Sequence, residues 1–264
     1  MEVLWPVVVL GGLGLVFGGL LGIAAKAFHV NKDERAEQIA ELLPGANCGG
    51  CGYAGCNALA VALTEGRAMP TVCAALKTEQ LDEIAGLLGV EAQAEVRRVA
   101  KVLCSGTCDM AATKCKYEGI RDCVAAQRYG GGEIACQFGC CGYGSCVSAC
   151  KFDAISIIDG VARVIEENCV GCGTCVAACP RNLITLVPAT QRTFVLCRSK
   201  EKGAAMKDIC KAGCIGCGIC AKNCPAEAIE MAENLATIDY EKCTNCGICV
   251  EKCPKNVIEY KEEI

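Results

Sequence analysis

The chain opens on an unbroken apolar stretch. Residues 3–25 carry no charged side chain, enough chain to cross a ~30 Å hydrocarbon core as one helix. Glu2 precedes the stretch where a signal peptide would carry Lys or Arg, which argues against a cleaved leader. Lys26, Lys32 and Arg35 follow it. Positive charge stays on the cytoplasmic side, so a single-pass anchor in the cell membrane with the C-terminal bulk in the cytoplasm is expected. Gly14, Gly18 and Gly22 lie four apart on one face, a spacing that lets partner helices approach closely.

Beyond the anchor the apolar pattern breaks into short pieces. Residues 33–43 read as a helix with Asp33 as N-cap and Ile39, Leu42 and Leu43 on the apolar face, ended by Pro44-Gly45. Residues 78–103 read as a second helical stretch. Residues 154–165, with Asp159-Gly160 at their centre, and residues 228–231 with 236–238 read as β-hairpins.

Composition changes the picture. Of 264 residues 27 are cysteine and only 5 % are aromatic. Conventional core side chains are too scarce to hold so many loops, whereas bound metal can, because its binding energy is folding energy. Disulfides suit secreted domains, not a cytoplasmic one. Zinc sites favour paired C-x2-C knuckles or His ligands. This chain has one His, and three of its runs hold four cysteines within eleven residues. The remaining reading is [4Fe–4S] clusters held by thiolates. The formal charge of −4 becomes more negative with each cluster bound, at about −2 apiece. Nucleic acid is therefore excluded as a partner.

The first candidate site is Cys48, Cys51, Cys56 and Cys73, spaced C-x2-C-x4-C-x16-C with glycines between. The rest of the chain repeats. Cys123, Cys136, Cys140, Cys146, Cys150, Cys169, Cys172, Cys175 and Cys179 each have a cysteine 74 positions later, the mark of a duplicated unit. In the second copy, Cys214-x2-Cys217-x2-Cys220-x3-Cys224-Pro225 is followed by Cys243-x2-Cys246-x2-Cys249-x3-Cys253-Pro254. In such pairs the fourth cysteine of each run ligates the other cluster. Cys214, Cys217, Cys220 and Cys253 are thus assigned to one site, and Cys243, Cys246, Cys249 and Cys224 to the other.

The first copy has a regular second run, Cys169, Cys172, Cys175 and Cys179-Pro180. Its earlier run, Cys140, Cys146 and Cys150-Lys151, has Tyr143 where the second copy has Cys217. A substitute ligand is required, either Cys136 or Cys141, and Cys136 is preferred. Cys104, Cys108, Cys115 and Cys123 remain and could hold a further cluster. Cys197 and Cys210 could take part. Five clusters are implied, with room for a sixth.

The expected architecture is α+β: a transmembrane anchor (1–30), a small helical 4Fe–4S domain (31–95), a first ferredoxin-like unit with an extra cysteine segment (96–190), and a second unit (191–264). Without a G-x-G-x-x-G motif after a strand, NAD and flavin chemistry is expected on other subunits. Arg198, Lys200, Lys202, Lys207 and Lys211 form a basic stretch suited to steering an acidic protein partner.

The Gly-rich first span, the Asn47–Cys56 motif with Cys73, Cys104-Ser-Gly-Thr-Cys108, the Gly139–Cys150 run and the ferredoxin pairs together resemble the B subunit of the Rnf complex along essentially the whole chain. Cys115 and Cys141 depart from that pattern. The resemblance implies a subunit of an ion-translocating ferredoxin:NAD+ oxidoreductase, accepting single electrons from soluble ferredoxin and working beside flavin- and NAD-binding membrane subunits. The alternatives are a polyferredoxin of another membrane oxidoreductase, such as a hydrogenase, and an iron–sulfur scaffold. Crossed ligation speaks against the scaffold, because a scaffold must release its clusters.

Overall fold

A computed structural model describes residues 4–27, 33–91 and 96–261; Val3 and Lys32 lie outside them. Helix α1 (Leu4–Ala27) has Lys26 in its last turn, and its large apolar side chains from Val8 to Ile23 are exposed. Nothing lies within 4 Å of where a Cβ would stand on Gly14, Gly18 or Gly22. Among the described residues no helix is long and apolar enough to cross a membrane. The stretch of α1 in which every side chain is described, residues 8–24, measures only about 26 Å at a helical rise of ~1.5 Å per residue.

The next unit is helical. Helix α2 (Glu34–Leu42) starts at Asp33, whose carboxylate accepts the Arg35 N–H at 2.9 Å. It packs on α3 (Cys56–Thr64) and α4 (Thr78–Leu88), with a 3-10 turn at Pro70–Val72 between them. Ile39, Leu59, Leu63 and Ile84 form the core, lined on one side by Cys51, Cys56 and Cys73. The helix expected over 78–103 does not run through. Gly89 ends α4 in the left-handed conformation (φ 66°), and residues 98–102 form strand β1 (Arg98–Val102). Val99 and Val102 are buried there, and cross-strand pairing overrides helix propensity.

Two ferredoxin-like units follow. The first contains β1, α5 (Cys123–Arg128), α6 (Ser145–Ala149), the hairpin β2 (Ile155–Ile158)–β3 (Val161–Val164), α7 (Thr174–Ala178) and β4 (Ile184–Pro188). The second contains β5 (Thr193–Val195), α8 (Gly203–Ile209), α9 (Ile219–Lys222), the hairpin β6 (Ile229–Ala232)–β7 (Leu235–Ile238), α10 (Ile248–Glu251) and β8 (Ile258–Tyr260). In each unit the first strand pairs antiparallel with the last, β1 with β4 and β5 with β8. The hairpins fall where the alternation places them. Asp159 (φ 49°) and Gly160 (φ 79°) make the first turn, Glu233 (φ 46°) and Asn234 (φ 64°) the second.

The two units are clamped together. Lys101 on β1 pairs with Glu259 on β8 at 2.6 Å and lies over the Phe194 ring, 4.3 Å from its centroid. Lys261 reaches Glu166 at 2.6 Å. Phe194 meets Tyr240 edge-on with centroids 6.1 Å apart.

Candidate metal centres

The cysteines are delivered by tight turns that open short helices. In Gly144-x-Cys146, Gly173-x-Cys175, Gly218-x-Cys220 and Gly247-x-Cys249 the glycine is the N-cap, at φ between 71° and 81°. That backbone state favours glycine, and it turns the third thiol of each run inward, leaving all four of these cysteines buried.

Six groups of four thiols result. In the second unit, Cys214, Cys217, Cys220 and Cys253 line one cavity, and Cys224, Cys243, Cys246 and Cys249 line another. In the first unit, Cys175 is flanked by Cys169, Cys172 and Cys150. In the helical domain, Cys73 is flanked by Cys48, Cys51 and Cys56. There the Asn47 side-chain carbonyl accepts the Cys56 N–H at 2.8 Å, closing the loop that carries Cys48 and Cys51.

The fifth group differs from the sequence expectation. Cys146 is flanked by Cys140, Cys123 and Cys179, with Cys123 in the place expected of Cys136. The signal lay in Asp122, whose carboxylate caps α5 through the Ala125 N–H (2.8 Å) and accepts the Ser145 hydroxyl (2.6 Å). Ser145 in turn accepts the Cys123 N–H at 2.8 Å, holding α5 against α6. A hydrogen bond from the Cys141 thiol holds that of Cys123 well below the usual thiol range, and the same contact pushes the Cys141 thiol up.

Cys136 lies elsewhere. With Cys104, Cys197 and Cys210 it forms the sixth group, lining a cavity between the two units. The expected grouping of Cys104, Cys108, Cys115 and Cys123 does not form. Cys108 is exposed, its N–H bonded to Asp159 O at 3.0 Å, and Cys115 is exposed beside Gly132. The tertiary fold separates what the sequence placed side by side.

The lining of these groups fits iron–sulfur clusters. Backbone N–H groups of Ala100, Leu183, Ala228 and Val257 point at the sulfurs of Cys169, Cys179, Cys224 and Cys253 at 3.3–3.4 Å. Such bonds stabilise thiolate and sulfide charge. Burial pushes the Cys146 thiol up to about 12 and those of Cys175 and Cys249 to about 11, so these sulfurs ionise readily only against a cation. Among the described residues no three His, Cys, Asp or Glu side chains converge on a single metal ion; a cube of four irons and four sulfides holds its thiolates apart.

Comparison with known proteins agrees with this geometry. The family described as a putative Fe-S cluster matches residues 43–74, a 4Fe-4S binding domain matches 162–185, and a 4Fe-4S dicluster domain matches 213–263. The chain is 45 % identical to the B subunit of the Na(+)-translocating ferredoxin:NAD(+) oxidoreductase complex of Acetobacterium woodii, over 91 % of this chain and 72 % of that one. It is 42 % identical to the proton-translocating counterpart of Clostridium ljungdahlii, over 90 % and 84 %. It is also 42 % identical to the B subunit of the ion-translocating oxidoreductase complex of Methanosarcina acetivorans, over 89 % and 90 %.

Proposed function

Because the chain belongs to the family of B subunits of the ion-translocating ferredoxin:NAD+ oxidoreductase, the Rnf complex, we propose that it is the membrane-anchored subunit that takes electrons from reduced soluble ferredoxin. It is an iron–sulfur electron-transfer subunit of that complex. The observation that carries the reading is the gathering of its cysteines into four-thiol groups along a chain matched nearly end to end by such subunits.

A bound [4Fe–4S] cluster gains and loses one electron at a time. The residues of this chain set the conditions. Thiolates of two different runs close each ferredoxin site, so a cluster cannot leave without opening the unit. Backbone N–H groups aimed at sulfur favour the more negative, reduced state. Burial of Cys146, Cys175, Cys220 and Cys249 keeps water from one side of their sites.

Helix α1 is read as the anchor. It has no charged residue before Lys26, and its apolar side chains have no partner within the chain among the described residues. Lys26 and Arg35 set the ferredoxin-like units on the cytoplasmic side. The dock for ferredoxin is assigned to the basic stretch around α8, where Lys200, Lys202, Lys207 and Lys211 are exposed.

Purification from native membranes in mild detergent tests the reading. The chain should travel with flavin- and NAD-binding subunits and be reduced by ferredoxin. A chain that purifies with the catalytic subunit of a hydrogenase instead would overturn it.

A further inference from the structure

The duplication gives each ferredoxin-like unit one cysteine after its first strand and one before its first run, and these two pairs face each other. Cys104 follows β1 and Cys197 follows β5. Leu103 N–H bonds Leu183 O at 2.8 Å, and Leu196 N–H bonds Val257 O at 2.9 Å, the same bond in each copy. The Cys140 N–H donates to Cys104 Sγ at 3.5 Å, and the Cys214 N–H donates to Cys197 Sγ at 3.4 Å. Cys136 precedes Cys140 by the interval at which Cys210 precedes Cys214. The two copies therefore bring equivalent cysteines to the cavity lined by Cys104, Cys136, Cys197 and Cys210.

The surroundings are built for a group rather than for loose thiols. A Cβ on Gly106 would lie 3.4 Å from Cys210 Sγ and 3.6 Å from Cys104 Sγ, which puts those sulfurs within about 7 Å of one another, on either side of a position that a side chain would crowd. Cys136 is near enough for its charge to act on each of the other three. Ser199 adds a second N–H to Cys197 Sγ at 3.4 Å. The walls are woven from both units: Ala112 N–H bonds Ile209 O at 2.9 Å, and Lys211 N–H bonds Met110 O at 2.8 Å. Cys104, Cys136 and Cys210 are buried.

Two thiols from one unit cannot close a four-iron cube; two from each can. Resting on the iron–sulfur reading above, we propose that Cys104, Cys136, Cys197 and Cys210 ligate a sixth [4Fe–4S] cluster at the junction of the two ferredoxin-like units. Cys123 replaces Cys136 in the first unit's own site. Cys108 and Cys115 ligate nothing. The junction lies against both neighbours, since Cys140 and Cys214, the two N–H donors, each begin the run of an adjoining site.

The test is metal content and spectroscopy on the full-length chain, purified anaerobically. The wild type should hold about 24 Fe, four per cluster. Cys104→Ser, Cys136→Ser, Cys197→Ser and Cys210→Ser should each abolish or shift the same single component of the EPR spectrum, with loss of up to one cluster's iron. Cys108→Ser and Cys115→Ser should change neither. Should a serine variant fail to accumulate, Gly106→Val crowds Cys104 and Cys210 without removing a thiol, and loss of that same component supports the site. An unchanged spectrum in Gly106→Val and Cys136→Ser, or loss caused by Cys115→Ser, overturns it. A wild-type chain with no iron–sulfur signal would instead sink the functional reading itself.

Discussion

Gly50 sits directly on Cys172. A Cβ on Gly50 would meet the Cys172 Cβ at 3.0 Å and run into its carbonyl oxygen. Two cysteine loops from different domains thus touch backbone to backbone, and Cys48 and Cys172 are close enough for their charges to interact. The N-terminal site is therefore seated beside the site of Cys150, Cys169, Cys172 and Cys175.

Gly50→Val should part these two domains, because the obstructing atoms are backbone and cannot rotate aside. Overpacking of this kind costs about 1–3 kcal/mol. Limited proteolysis between α4 and β1 should speed up several-fold at unchanged iron content. Wild-type cleavage rates would show that the contact is not maintained in solution.

Lys101→Ala should weaken the clamp between the ferredoxin-like units. It removes the Glu259 partner and the cation over Phe194, together worth about 1–2 kcal/mol with the ion pair discounted because Glu259 is 43 % exposed. Visible absorbance of the clusters should bleach faster at a fixed elevated temperature. Glu259→Gln, which keeps the lysine over the ring, should have the smaller effect.

The basic stretch predicts a salt-dependent association. Lys200 is already paired with Glu233, so reversal at Lys202 and Lys207 should matter more than at Lys200. The double variant Lys202→Glu/Lys207→Glu should be reduced more slowly by ferredoxin at low salt, by about tenfold, with the difference shrinking as salt rises. Reduction by dithionite should not change. Equal slowing with both reductants would mean a damaged site instead.

The anchor predicts topology. Protease added outside intact cells should leave the ferredoxin-like units uncut, while the same protease on inverted vesicles should degrade them. Cleavage from outside would reverse the orientation assigned from Lys26 and Arg35.

Stripping iron should unfold what iron holds. The second unit's core consists of Val195, Ile229, Ala236, Ile238, Val257 and Ile258 packed round its cysteines, too little apolar surface to order the segment alone. A strong chelator under anaerobic conditions should abolish the strand signal in circular dichroism together with the visible absorbance. Strand signal that survives complete iron loss would contradict this.

Local pattern carried much of the fold. Asp33 announced α2, and Asp159-Gly160 announced the hairpin, because each acts through bonds to its own neighbours. The stretch 98–102 misled, since only its pairing with β4 makes it a strand. The grouping of thiols from crossed runs could be read because short, regular spacings bring those cysteines to the same cavities. The junction could not. The shared offset of 74 residues pairs Cys123 with Cys197, whereas the structural counterpart of Cys197 is Cys104, displaced along the chain by the segment inserted in the first unit.

Crossed pairing also sets a timetable for synthesis. Cys73 completes the helical domain's site early. Each site of a ferredoxin-like unit waits for the other run, the junction waits for Cys210, and the last closure waits for Cys253. β8 then docks on β5 and brings Glu259 back to Lys101. Until then a growing chain carries half-built sites with bare thiols, and an oxidant reaching it in that interval would pair sulfurs that the finished fold holds for metal.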